Sequence, residues 1–211
     1  MTNSRVKAIP VAVTDSLKLD DQASQAEAFW RDGYALAPGL LSAQQCAMVR
    51  TAMDQSQRAG RMRSADNKAY WGPNNEYSPV LGKLLLDSLA PRLAQMVGRA
   101  VLPSYAFWRI YEHGAVLNSH KDRNACELSV TIAIAAELGE PDWPIGVTDL
   151  HGQDHAIALA AGTGLLYQGT QVQHWRDAFA GERHYQLFLH YVMSDGPFVD
   201  LAHDHKTIGP V

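Results

Sequence analysis

The stretch WRIYEHGAVLNSHKD, residues 108–122, decides how this chain is read. If it is extended, His120 and Asp122 stand two positions apart and project from the same face, an imidazole beside a carboxylate. They make two ligands of a metal site, and the third must come from elsewhere. About fifty residues on, in QVQHWR, His174 follows enough chain for several strands to carry it back beside them. Two neutral nitrogens and one carboxylate form the facial set that holds Fe(II) and leaves adjacent positions open. Nine residues after His174, beyond the turn AFAGE, Arg183 opens RHYQLFLHYV, the clearest strand pattern in the chain. In a hairpin this arginine is expected to return towards His174, point inward, and bind a carboxylate with its planar fork.

Around this pattern the chain divides in two. From Val101 onward, short aromatic and β-branched runs alternate with Gly, Pro, Asn and Asp, the pattern of a β-sandwich or barrel. Strands are expected at Tyr105–Glu112, Val116–Lys121, Leu128–Ala135, Ala156–Leu159, Gly164–Tyr167, Val172–Arg176 and Arg183–Val192. The N-terminal half reads as mostly helical. Ala23, Ala26, Phe29 and Trp30 recur at helical spacing up to a stop at Gly33. After the short extended run YALAPGL, Ser42 and Gln45 form a capping box behind Leu41, opening a helix to about Gln57 whose core face is Cys46, Val49 and Met53. A third helical run, PVLGKLLLDSLAPRLAQMVG, has Pro79 in its first turn, a break or restart at Pro91, and Gly98 at its end. Residues 59–78 are polar and turn-rich, and are expected to form a long loop, either a lid or a surface excursion. The expected architecture is mainly β with α: a helical lead-in over about 16–100, a β core over 101–193 and a tail over 194–211. Residues 1–15 show no clear periodicity.

At 211 residues and 46% hydrophobic content the chain suits one well-buried core, so a single domain is expected. Eighteen basic against 22 acidic residues give a net charge of −4 and a pI near 6.1, with no basic stripe, which argues against nucleic acid as a partner. Two cysteines, Cys46 and Cys126, read as reduced thiols of an intracellular protein. No apolar run reaches membrane-spanning length and the N-terminus lacks a signal-peptide core, so a cytoplasmic protein is expected.

His120-x-Asp122, His174 and Arg183 together resemble the Fe(II)- and 2-oxoglutarate-dependent dioxygenases, in particular their prolyl 4-hydroxylase-like and phytanoyl-CoA hydroxylase-like branches. FWRDGYALAPGLLSAQQCAMVRTAMD is similar to the lead-in helix, turn and helix of those branches, and GTGLLYQGTQVQHWRDAFAGERHYQLFLHYV to their closing strands. The resemblance covers roughly residues 25–193. It implies a double-stranded β-helix (jelly-roll, cupin-like) core flanked by N-terminal helices. It implies iron on His120, Asp122 and His174, with 2-oxoglutarate on Arg183 and Tyr111 near it. It also implies O2 as co-reactant, succinate and CO2 as products, and possible stimulation by ascorbate. Hydroxylation of an unactivated carbon in a small molecule or peptidyl side chain is the expected outcome, and Asp122 fits this because halogenating members carry a small residue there. Tyr185 stands where some branches place a serine that assists the arginine, a departure that favours the prolyl hydroxylase-like pattern.

Two alternatives stand beside this expectation: the same cofactors with desaturation, epoxidation or cyclisation as the outcome, and a non-catalytic metal- or ligand-binding barrel acting as a sensor. Other histidine sets exist. Asp149, His151 and His155, and His203-Asp204-His205, have ligand-like spacing but lie in polar, turn-like contexts, and are read as solvated loops. His113 and His190 are read as ordinary sheet residues, Cys126 as buried. Substrate contacts are expected among Arg109, Arg123, Tyr70, Trp71, Trp175 and Arg176, with Phe107 and Arg109 sharing the inward face with Tyr111.

Overall fold

The computed structural model describes residues 19–66, 69–136 and 142–203. Along these the chain runs as helix α1 (Leu19–Asp32), strand β1 (Tyr34–Ala37), helix α2 (Ala43–Arg58), strands β2 (Arg63–Asp66) and β3 (Trp71–Tyr77), and helix α3 (Val80–Val97). Eight strands follow: β4 (Val101–Glu112), β5 (Leu117–His120), β6 (Leu128–Ala136), β7 (Ile145–Thr148), β8 (Asp154–Ile157), β9 (Gly164–Gln168), β10 (Gln173–Arg176) and β11 (Arg183–Met193). They form a seven-stranded sheet in the order β1-β9-β6-β11-β4-β3-β2 and a four-stranded sheet in the order β5-β10-β7-β8. Every pairing is antiparallel.

The alternation of β11 shows how the layers arise. Tyr185, Leu187, Leu189, Tyr191 and Met193 join Phe29, Val49, Met53, Leu93 and Val97 in one apolar cluster, so odd positions of β11 face the helices. The even positions His184, Gln186, Phe188 and His190 face the other way, and Phe188 packs with Tyr111 from β4 and Leu117 from the smaller sheet. A helix-covered core therefore lies outside the large sheet, and a more aromatic and polar one lies between the sheets.

The helices follow their local signals. The Ser42 hydroxyl accepts from the Gln45 amide at 3.2 Å and the Gln45 side chain accepts from the Ser42 amide at 2.8 Å, so α2 starts at the expected capping box. α3 ends on Gly98 in the left-handed region, φ 66°. The expected break at Pro91 is absent. Leu85, Leu86 and Leu89 before the proline and Leu93, Met96 and Val97 after it are buried along one stripe, which holds the helix together where proline removes one hydrogen bond.

Residues 59–78, expected as a long loop, instead contain the β2–β3 hairpin that extends the large sheet. WGPNNEY lacks strand alternation. Its conformation comes from the β4 ladder, where Asn75, Glu76 and Tyr77 pair with Arg109, Trp108 and Phe107, and from the Trp108 indole donating to Glu76 at 2.8 Å. β1 forms within the extended run expected at YALAPGL, the short strand β7 went unforeseen, and β8 begins two residues earlier than expected. Cys46 and Cys126 are buried and form no disulfide. None of the described helices is long and apolar enough to cross a membrane. Residues 1–15 and the tail beyond His203 lie outside the described residues.

Candidate active site

β5 and β10 are neighbours in the smaller sheet, and their register sets His120 directly opposite His174. Asp122 follows β5 and is pinned by its amide donating to the Gly169 carbonyl at 2.8 Å. The Nε2 atoms of both histidines lie 3.7 Å from Asp122 Oδ1. An ion bonded at about 2.1 Å to each of two donors spans up to about 4 Å between them, so the three atoms suit one metal. The outer nitrogens complete the case. His120 Nδ1 lies 2.7 Å from the Asn118 carbonyl and His174 Nδ1 lies 3.2 Å from that of Val172. A carbonyl only accepts, so each Nδ1 carries the proton and each Nε2 offers its lone pair to the site. Burial pushes the His174 imidazole below its ordinary pKa, with Asp122 opposing the shift and His120 adding to it, which favours the neutral ligand form. The side chain of His174 is 3% exposed against 21% for His120, so the site opens on the His120 side.

A buried layer holds Asp122 from behind. Ser129 donates to Asp122 Oδ2 at 2.6 Å, leaving Oδ1 for the ion. Having spent its only proton, that hydroxyl accepts from His190 Nδ1 at 2.9 Å, which fixes the tautomer of a histidine whose pKa burial pushes down to about 4. Tyr105 packs at a tilt against His190 with ring centroids 4.5 Å apart and shares a hydrogen bond with Cys126 at 3.0 Å. Asp122, Cys126 and His190 thus form a second group close enough to hold an ion, but it shares Asp122 with the first group and its other two members have partners of their own. Gly169 completes the layer. A Cβ there would overlap the Cys126 carbonyl and press on Asp122 Oδ2 and Ser129 Oγ at 2.8 Å.

The arginines are arranged differently from expectation. Arg183 does not point inward. It occupies an odd position of β11, facing α2, and its guanidinium meets the Gln57 side chain and lies 3.8 Å from Asp54. The expected hairpin does not form, because β10 lies in the smaller sheet and β11 in the larger one, and the alternation of β11 turns Arg183 to the helix-covered face. Arg176 fills the interior instead. It stands two residues after His174, hence on the same face of β10, and is 3% exposed. It donates to the Trp143 carbonyl, lies 4.6 Å from the centre of that residue's ring, and reaches Gln186 at 3.5 Å. Burial lowers its pKa to about 10, and no carboxylate among the described side chains pairs with it. His184, the even neighbour of Arg183, faces the same space beside Tyr111, Trp143 and Phe179, its pKa pushed by burial to about 4.

Tyr111, Phe107 and Arg109 share the inward face of β4 as expected, and the Tyr111 hydroxyl accepts from Arg109 at 2.9 Å. Tyr70 is buried with its ring 3.6 Å from the Arg109 guanidinium. Arg123 lies at the rim by Tyr77 and Tyr105. Trp175 alternates away from His174 and Arg176 and covers Gly146 on the outer face of the small sheet, so it does not line the interior. The Trp71 side chain lies outside the described residues. Asp149, His151 and His155 form a surface turn in which Asp149 accepts from the His151 and Gln153 amides and from His155, so it is held by hydrogen bonds and not drawn into the metal group. His113 contacts the Ala180 carbonyl at 3.3 Å. His190, read as an ordinary sheet residue, belongs to the layer behind Asp122. Ser129, Asn75, Gln186, Trp143 and Gly169 were missed altogether, and only the even-position register of Gln186 with His184 and His190 carried a signal.

No protein-family model matches the chain, and no curated protein matches it. Solved structures do. An epimerase from nogalamycin biosynthesis, SnoN, in complex with Fe3+, α-ketoglutarate and nogalamycin RO, matches with a TM-score of 0.69 at 14% identity over 91% of this chain and 93% of that one. A Pseudomonas putida prolyl-4-hydroxylase matches with a TM-score of 0.64 at 14% identity, covering 81% and 97%. An oxidoreductase of the 2OG-Fe(II) oxygenase family from Burkholderia pseudomallei matches with a TM-score of 0.62 at 13% identity, covering 81% and 89%. By fold, then, this chain is similar to these structures: it shares their double-stranded β-helix architecture.

Proposed function

We propose that the protein is an Fe(II)- and 2-oxoglutarate-dependent oxygenase that hydroxylates an unactivated carbon of a small molecule or peptidyl side chain. The observation that carries this reading is the alignment, on one strand, of a candidate metal ligand and a buried cation that no described carboxylate pairs. His174 offers Nε2 to an ion, and two residues on Arg176 meets no carboxylate among the described residues in a space walled by Tyr111, Trp143 and Gln186. Burying a guanidinium is costly unless an anion accompanies it, and the distal carboxylate of a keto diacid would supply one. The residues therefore fit both iron and 2-oxoglutarate. When bound with O2, that pair supplies the oxidising power to break a C–H bond, with succinate and CO2 as co-products. The chain's own contribution is positional. His120, Asp122 and His174 would hold the metal on one face, Ser129 orients Asp122, and Arg176 would anchor the distal carboxylate, with Tyr111 and His184 shaping its pocket. Trp143 and Phe179 shield that pocket from water.

Succinate formation in air with iron, ascorbate, 2-oxoglutarate and candidate substrates tests the activity, and product mass separates oxygen gain from loss of two hydrogens. A protein that makes no succinate with any substrate, even uncoupled, would instead support a non-catalytic binding module. Calorimetry on zinc-loaded protein, which binds but cannot turn over, tests the anchor. Arg176→Gln should weaken 2-oxoglutarate binding about 30-fold or more, because a buried charge pair broken on one side costs roughly 2–5 kcal/mol. Arg183→Ala should leave it within about twofold, being on the other face of β11; the opposite ranking would restore Arg183 to the role.

A further inference from the structure

Arg109 is a second cation in the same interior, and the cosubstrate does not account for it. The residue is 5% exposed. Its Nε donates to Asn75 Oδ1, and Asn75 is itself immobilised by its amide donating to the carbonyls of Gly72 at 2.9 Å, Pro73 at 3.0 Å and Arg63 at 3.1 Å. Nη1 donates to the Tyr111 hydroxyl, and the Tyr70 ring lies 3.6 Å from the guanidinium carbon. The fork is thus held along one side while Nη2 meets no acceptor among the described residues. No described carboxylate reaches it either. Aromatic faces soften the burial of a cation but do not neutralise it.

Charge balance across the loaded site gives the sign of what is missing. Resting on the cofactor reading above, the metal's two positive charges together with Arg109 and Arg176 exceed by one the negative charges of Asp122 and the 2-oxoglutarate dianion. The missing partner is a single negative charge. Register gives its place. On β4 and β11 the pairs Tyr105 with His190, Phe107 with Phe188, and Arg109 with Gln186 succeed one another along the interior. The first pair is at the level of Asp122, and Arg176 meets the third from the opposite side. Phe107 and Phe188, stacked at 4.6 Å, lie between Arg109 and the metal level.

We propose that Arg109 is the substrate's anchor and that the substrate is an organic acid, its single carboxylate on Arg109 and its apolar skeleton lying over Phe107 and Phe188 towards His120 and His174. The carbon that reacts is then distant from the acid group by the length of that aromatic floor.

Zinc-loaded protein saturated with 2-oxoglutarate, so that Arg176 is occupied, is titrated calorimetrically with phenylacetate, 3-phenylpropionate and hexanoate and with the three corresponding amides. At least one acid should bind at least tenfold more tightly than its amide. Arg109→Gln should abolish that preference while 2-oxoglutarate affinity stays within about twofold, and Arg109→Lys should keep part of it, which separates lost recognition from lost folding. Absence of binding by every acid, equal binding of acids and amides, or a preference that survives Arg109→Gln overturns the proposal. A fall in 2-oxoglutarate affinity in Arg109→Gln as large as in Arg176→Gln also overturns it, by making Arg109 part of the cosubstrate site. Failure of the wild-type protein to bind 2-oxoglutarate would instead remove the cofactor reading itself.

Discussion

Two histidines buried in the neutral form should make this fold acid-labile well above the carboxylate range. Desolvation holds His184 and His190 at about 4 each, against 6.5 in the unfolded chain. Both shifts are downward, so between pH 4 and 6.5 the unfolded chain binds more protons than the folded one. Their contribution is fully present above pH 6.5 and is lost as pH falls through that window. Between pH 7.5 and 5 each histidine should cost about 2 kcal/mol, together about 4 kcal/mol out of a total stability of about 5–15 kcal/mol. His174 moves in the same direction and adds to the loss. The assay is urea unfolding of metal-free protein in chelator at several pH values. With a slope near 3 kcal/mol/M, the midpoint should drop by about 1 M or more between pH 7.5 and 5. His184→Phe, which keeps a ring among Tyr111, Trp143 and Phe179, should remove about 2 kcal/mol of that pH dependence. A wild-type loss below about 1 kcal/mol, or an undiminished pH dependence in His184→Phe, would refute the reasoning.

Ser129→Ala deprives Asp122 Oδ2 of its donor, and Co(II) affinity measured by titration should weaken about 10–100-fold; an unchanged value would mean Asp122 is oriented by other contacts. Gly169→Ala forces a methyl against the Cys126 carbonyl, and should lower stability by about 1–3 kcal/mol together with metal retention, seen as a melting point about 2–12 °C lower and a reduced iron content. His174→Ala should abolish iron retention, whereas His151→Ala, whose side chain sits 3.4 Å from Asp32 on the surface, should leave iron content and turnover intact; the reverse outcome would move the metal centre.

Much of this architecture could be read from one sequence because its signals are local. The Ser42 capping box, the Gly33 and Gly98 stops and the alternation of residues 183–192 each act within a few positions, and the structure shows all of them. What escaped the reading depends on distant chain. WGPNNEY is a strand because β4 lies beside it, and α3 passes through Pro91 because an apolar stripe is buried on both sides of the proline. Ser129 and His190 support Asp122 through a chain of contacts joining three separate elements. No single stretch of sequence contains that arrangement.

The two arginines show where such inference is sound. Placing Arg183 inside assumed a hairpin closed across AFAGE, but β10 and β11 lie in different sheets, so the face each residue of β11 takes is set by its pairing with β4 and β6, which no local stretch reveals. His184 took the inner face and Arg183 the outer. Arg176 required no register, because two positions along a single strand restore the same face wherever that strand lies. Once His174 is taken as a ligand, HWR already places a guanidinium inside the barrel beside the metal. Within one strand, two positions fix a face without any knowledge of the pairing, which is why Arg176 was the more legible of the two arginines.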